Sequence, residues 1–283
     1  MKIDAHQHFW HYNEVDYGWI GPDMAVLRRD FLPDDLRPLL DAAGIDGTVA
    51  VQARQTLAET HWLLDLAAAH PWILGVVGWV DLRSEELDAQ LEALAGKPKL
   101  VGVRHVIQDE PDVDFAVGAD FMRGVGRLAG HGLTYDLLVF PPQLPAATQL
   151  VRTFPHQRFV LDHIAKPPIK TGAIADWAGA VKTLAHEPNV WCKVSGMVTE
   201  ADWAAWQPAD FAPYLDVIFA AFGPARIMLG SDWPVCLAAG SYAGVMTLAR
   251  DYVAALSPTE RAAVEGGNAA RFYGLDGVSH GAR

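Results

Sequence analysis

A chain of 283 residues with 51% apolar and 20% charged side chains is globular and long enough for one large domain. Its 22 basic and 34 acidic residues leave a formal net charge of −12, which excludes a polyanionic partner such as nucleic acid, and its apolar runs are too short for a membrane span. Cys192 and Cys236 are too few for a disulfide framework and lack zinc-ribbon spacing, and no apolar leader precedes the first strand; a reducing, cytoplasmic setting is expected.

The first ten residues read as a buried strand with His6 and His8 on one side and Gln7 on the other, because strand side chains alternate. A long aromatic connection follows over residues 9–32, carrying Trp10, Tyr12, Tyr17 and Trp19. Loops of that length commonly serve as lids or binding loops, and Trp10 and Tyr12 are suited to wall a pocket. A helix over 34–43 ends at Gly44, and a strand over 47–53 presents Gln52 near its end, with Arg54 just beyond. Thr56 and Glu59 form a capping box for a helix over 56–69. A strand over 73–80 precedes a helix with Leu87, Leu91 and Leu94 on one face. A strand over 100–106 carries Arg104 and His105, and a helix follows over 115–129. Next come a strand over 133–139 with Tyr135 and Asp136, a helix over 144–153, and a strand over 158–164 with Asp162 and His163. A helix over 174–185, a strand over 190–195 with Lys193 and Ser195, a helix over 211–222, and a strand over 226–232 ending in Ser231 and Asp232 complete the series. Helices near 242–256 and 258–272 close the chain before a polar tail that begins near Asp276.

Eight near-continuously apolar strands, mostly separated by helices, predict a single α/β domain over residues 1–283, a (β/α)8 barrel. A doubly wound sheet is the other solution, but no Gly-rich phosphate turn follows the first strand.

In such barrels the reacting groups sit at the C-terminal strand ends, where nearly every strand here carries a polar residue. His6, His8, His163 and Asp232 form the candidate catalytic set. Three imidazoles and a carboxylate can hold one divalent ion, zinc above all, with Asp232 acting as general base on water. The same group also works without a metal, the histidines polarising a carbonyl while Asp232 deprotonates water, and composition leaves both open. Arg104, Lys193, Gln52, Tyr135, Trp10 and Arg54 are the candidate substrate contacts, with Lys166 as a further basic anchor. Only one of Arg104 and His105 can face the barrel interior, and Arg104 is the better anchor. Tyr135 reads either as a hydroxyl partner or as a core aromatic. Cys192 neighbours Lys193 and so faces away from it, which argues against cysteine catalysis.

Together the motifs Ile3–Trp10 (IDAHQHFW), Val101–Arg104 (VGVR), Leu161–Pro167 (LDHIAKP), Lys193–Gly196 (KVSG), Leu229–Pro234 (LGSDWP) and Asn268–Tyr273 (NAARFY) resemble the amidohydrolase superfamily in its amidohydrolase-related lactonase branch. They run the length of the chain and are specific as a set. Sugar-lactone hydrolases such as the L-fuconolactonases and L-rhamnonolactonases are the nearest in pattern. The resemblance implies a distorted barrel that opens an aldonolactone to its sugar acid, with the superfamily roles falling on His6, His8, His163 and Asp232. Its implied partner is a small sugar lactone, and a homo-oligomer is compatible with it. A metal-dependent decarboxylase of an aromatic or unsaturated acid and a pyrone-dicarboxylate-type lactonase are the alternatives within the superfamily; a non-catalytic sugar-acid or metal-binding barrel is the alternative outside enzymology. Metal-rich members carry a bridging Lys or Glu on the fourth strand and a His on the fifth. Here those places hold Arg104/His105 and Tyr135/Asp136, which implies either no required cofactor or a single divalent ion.

Overall fold

Short runs rich in Val, Ile and Leu, each stopped by a polar or glycine residue, form the strands. In the computed structural model, which describes residues 1–275, these are β1 (Ile3–Gln7), β2 (Gly47–Val51), β3 (Ile73–Gly78), β4 (Leu100–His105), β5 (Thr134–Leu137), β6 (Phe159–Leu161), β7 (Val190–Val194) and β8 (Ile227–Leu229). All pair in parallel with their sequence neighbours, in the order β1 to β8. Just beyond β8 the sheet bends back onto β1: Asp232 N–H donates to the His6 carbonyl at 2.9 Å, and His8 N–H to the Trp233 carbonyl at 2.7 Å. The result is a nearly closed (β/α)8 barrel. The predicted polar tail lies outside the described residues.

The helices that wrap it are α1 (Pro33–Ala43), α2 (Leu57–Ala69), α3 (Leu87–Leu94), α4 (Ala119–Leu128), α5 (Leu144–Thr153), α6 (Ala175–Ala185), α7 (Pro208–Phe222) and α8 (Tyr242–Val253). Outward-facing strand residues and the inner helix faces share one large apolar layer, which includes Leu63, Val103, Tyr135, Phe159 and Phe211. A second cluster fills the bottom of the barrel: Ala5, Val51, Val77, Val160 and Met228 meet Phe272 and Tyr273 from the short helix α10 (Asn268–Tyr273). The N-terminal barrel mouth is therefore plugged, and only the C-terminal end stays open for chemistry. No helix among the described residues is long and apolar enough to cross a membrane.

Three local departures from the sequence expectation matter. The sixth strand stops at Leu161 because His163, Ile164, Ala165 and Lys166 all take left-handed backbone angles (φ 46 to 59°), a run that glycine-free sequence does not advertise. The final predicted helix, 258–272, divides into α9 (Pro258–Ala262), a π-helical turn (Ala263–Gly267) and α10. The 9–32 connection is not a free loop: Trp10 and Phe31 form an antiparallel bridge, and Trp10, Tyr17, Ile20, Leu27 and Phe31 are buried.

The start of α2 couples stability to pH. Thr56 Oγ1 accepts from Glu59 N–H at 3.2 Å, and the Glu59 carboxylate turns back to accept from the Ala53 and Arg54 amides at 3.0 and 2.7 Å. Glu59 is almost fully buried, and burial pushes its carboxyl up to about 7 against the pull of those two amides and Arg54. An acid whose folded value exceeds its unfolded one is protonated in the fold while the unfolded chain ionises. Its penalty is absent below the unfolded value, grows as pH rises, and is complete above about 7. Glu59→Gln is therefore expected to gain on the wild type by on the order of 2 kcal/mol between pH 5 and pH 8, read from urea midpoints at each pH.

Candidate active site

Strand β1 delivers two imidazoles to one point because His6 and His8 are two residues apart. Both are buried, and their Nε2 atoms lie 3.2 Å apart. His8 Nδ1 is 2.8 Å from the Val51 carbonyl, which can only accept, so Nδ1 carries a proton and donates it there, leaving Nε2 to face the site. His163 comes from the left-handed run after β6 and is pinned by Ser195 Oγ, 2.9 Å from its Nδ1. Asp232 follows β8, also left-handed (φ 56°), with its Oδ1 at 3.4 Å from His8 Nε2 and 3.9 Å from the Nε2 of both His6 and His163. Sequence reasoning grouped these four, and the fold brings them together.

Beneath them lies a buried charge network. Lys193 Nζ is 2.5 Å from Asp136 Oδ2, 3.0 Å from Asp162 Oδ1 and 3.1 Å from His6 Nδ1. Arg104 donates to Asp162 Oδ2 at 3.1 Å and to the side chain and carbonyl of Gln52 at 2.8 and 2.6 Å, and it faces His6 Nε2 at 3.3 Å. Tyr273 OH donates to Asp136 from the plugged end. These contacts set the charges. Burial drives His6 and His163 well below the usual histidine range, and the Lys193 ammonium adds to the effect at His6. For Asp232 burial pushes the other way, but His163, the His8 hydrogen bond and Lys166 outweigh it and hold the carboxyl below its ordinary value. Asp162 likewise stays well below that range despite burial, because Lys193, His6 and Arg104 surround it. For Asp136 burial wins over Lys193 and pushes the carboxyl up to about 6. The site thus sets His6 and His163, both held neutral, beside an ionised carboxylate.

A cavity of about 290 Å³ opens above this set. His8, Arg104, His163 and Asp232 form its floor; Trp10, Trp19 and Met24 of the long first connection and Trp203 form its walls; Lys166, Thr199 and Glu200 close one side. Several sequence expectations need correction here. Lys193 does not anchor substrate: it is fully buried, sealed off from the cavity, and its ammonium is committed to Asp136 and Asp162. Tyr135 points outward, packed against Phe121 and Phe159, because its neighbour Asp136 takes the inward position. Its hydroxyl accepts from the His105 amide at 3.4 Å. Gln52 holds Arg104 and does not line the cavity, while Arg54 pairs with Asp16 of the long connection at 3.2 Å. Arg104 faces in; His105 turns out to stack on Phe115, 5.0 Å between centroids, and to meet Glu110. Glu200, Thr199 and Trp203, which no motif marked, come from the connection after β7; its length, 195–207, was the one available signal.

The superfamily resemblance leaves room for a single divalent ion, and the donor set fits one. Tetrahedral ligation at 2.0–2.1 Å places ligand atoms about 3.3 Å apart. The 3.2–3.9 Å separations among His6 Nε2, His8 Nε2 and Asp232 Oδ1 lie close to that, while His163 Nε2 stands 3.9 Å from Asp232 Oδ1, outside that three-residue grouping. The second candidate grouping, His6, Asp162 and His163, is already neutralised by Arg104 and Lys193. Calorimetric titration with zinc is expected to saturate at one ion per chain and to lose that site in His8→Ala; two ions per chain would contradict it.

Gly196 is essential to the packing of this site. It adopts φ +59°, and a Cβ there would sit 2.5 Å from His163 Nδ1 and 3.1 Å from Asp232 Oδ2. Gly196→Ala is expected to displace His163 and lower turnover by about 100-fold, with a far-ultraviolet circular dichroism spectrum like the wild type's.

Comparison with known proteins follows the same lines. The L-fucono-1,5-lactonase of Burkholderia multivorans is 46% identical over 97% of this chain and 96% of its own length. The L-fucono-1,5-lactonase of Burkholderia ambifaria is 39% identical over 98% and 96%. A crystal structure of an amidohydrolase from Burkholderia multivorans with bound zinc superposes with a TM-score of 0.94 at 46% identity, covering 97% of this chain and 99% of that one. The amidohydrolase family model matches residues 3–275, and on that match, across all eight strands and the site they carry, this protein belongs to the amidohydrolase family.

Proposed function

We propose that this protein hydrolyses the ester bond of a sugar lactone, L-fucono-1,5-lactone or a close stereochemical relative, to the open-chain sugar acid. The observation that carries the reading is an ionised Asp232 set against three imidazole Nε2 atoms on the floor of a small, aromatic-walled cavity. The near full-length similarity to two L-fucono-1,5-lactonases supports the choice of substrate.

The residues divide the work as follows. Asp232 accepts a proton from water, and the oxygen that loses it attacks the lactone carbonyl. The carbonyl π bond becomes a tetrahedral oxyanion, which Arg104 and the imidazole face of the site stabilise. As the carbonyl re-forms, the ring C–O bond breaks and Asp232 returns its proton to the departing alkoxide oxygen. Water is consumed and the carboxyl end is released as an acid. A divalent ion held by His6, His8, His163 and Asp232 would add Lewis acidity at the carbonyl. Trp10, Trp19 and Trp203 exclude bulk water from the floor.

Release of acid from a panel of aldonolactones, followed with a pH indicator, tests this directly. Rapid ring opening of L-fucono-1,5-lactone is expected, with weak or no turnover of open-chain carboxylic esters. No acid release across the panel would overturn the reading.

A further inference from the structure

Lys166 and Glu200 each line two cavities at once. The inner one is the 290 Å³ catalytic cavity. The outer is a larger chamber of about 1030 Å³, walled by Phe140, Pro141, Pro168, Ile174 and Trp177. The two side chains stand between them, 3.6 Å apart, about one-fifth exposed, with the ammonium 5.5 Å over the Phe140 ring. Lys166 is aimed there by the same left-handed run that places His163, and Glu200 by the connection after β7 that carries Trp203. At 3.6 Å the pair is loosely made: the ammonium keeps donors and the carboxylate keeps lone pairs for a third party. Two neighbouring hydroxyls match that, one donating to the carboxylate while the next accepts from the ammonium.

We propose that the Lys166–Glu200 pair is the specificity wall of this site: it binds two adjacent hydroxyls of the substrate and seals the catalytic cavity from the outer chamber. The assignment rests on the lactonase reading for the identity of the ring and on the geometry for the hydroxyls. Lys166 bears on Asp232 only through its charge, an effect common to every lactone, and Glu200 forms no ion pair with the catalytic four, so the loss of the hydroxyl contacts falls on KM.

Two near-isosteric variants, Glu200→Gln and Lys166→Met, test it against an aldono-1,5-lactone and an unsubstituted six-membered lactone. The ratio of kcat/KM between the two lactones is expected to fall by about 10- to 100-fold in each variant, carried by KM, as for a lost charge-assisted hydrogen bond. An unchanged ratio in both variants would overturn the hydroxyl contact. Calorimetric binding of the open-chain sugar acid, compared with 5-hydroxypentanoate, separates this from the lactonase reading. If the wild type opens no lactone yet Glu200→Gln still loses sugar-acid affinity selectively, the wall stands and the lactonase reading falls; equal affinities for both acids would overturn the wall. The Lys166→Ala/Glu200→Ala double variant is expected to accept a lactone with a bulky apolar ring substituent that the wild type rejects, and continued rejection would remove the sealing role.

Discussion

Asp232→Asn is expected to lower kcat for lactone opening by about 10²- to 10⁴-fold, the range for loss of a general base, while KM changes far less. Fold is not at stake in this substitution. Asp232 sits at φ 56°, a region that asparagine tolerates as readily as aspartate, and the amide keeps an oxygen for His8. The partners that hold the carboxyl below its ordinary value outweigh burial, so the ionised group is net stabilising and the variant should melt slightly below the wild type while remaining folded. Steady-state kinetics with a parallel thermal melt decide the matter. Turnover within about 10-fold of wild type would assign the base elsewhere.

Lys193→Met is expected to cause the largest loss of stability, about 3–5 kcal/mol in urea unfolding. The wild-type ammonium lies between Asp136 and Asp162, and all three side chains are fully buried. Methionine fills the volume but leaves two carboxylates without their shared counter-charge. Adding Asp136→Asn removes one of them, and the double variant should regain a substantial part of the loss, a coupling that a double-mutant cycle isolates. A stable Lys193→Met protein with only a raised KM would restore Lys193 to the role of substrate anchor.

These two positions also show what could be read from sequence. Strands buried on both faces are continuous apolar runs, so all eight were visible, and with them the strand ends that carry His6, His8 and Asp232. Alternation correctly separates inward from outward positions: of Tyr135 and Asp136 only one can enter the barrel. It says nothing of depth. Lys193 points inward yet lies below the cavity, because Asp136 and Asp162 need a cation there. The left-handed run from His163 to Lys166 was invisible, since none of its residues is glycine, and it alone determines that His163 and Lys166 reach the same cavity. Glu200 and Trp203 sit in an irregular connection with no periodicity to place them.

The most direct test of the account is a single turnover of L-fucono-1,5-lactone in H₂¹⁸O with enzyme in excess. Attack by water that Asp232 has deprotonated places one ¹⁸O in the carboxylate of the sugar acid on the first turnover and none in the released hydroxyl. Unlabelled sugar acid from that first turnover, with ¹⁸O appearing in Asp232 instead, or no ring opening at all, would contradict it.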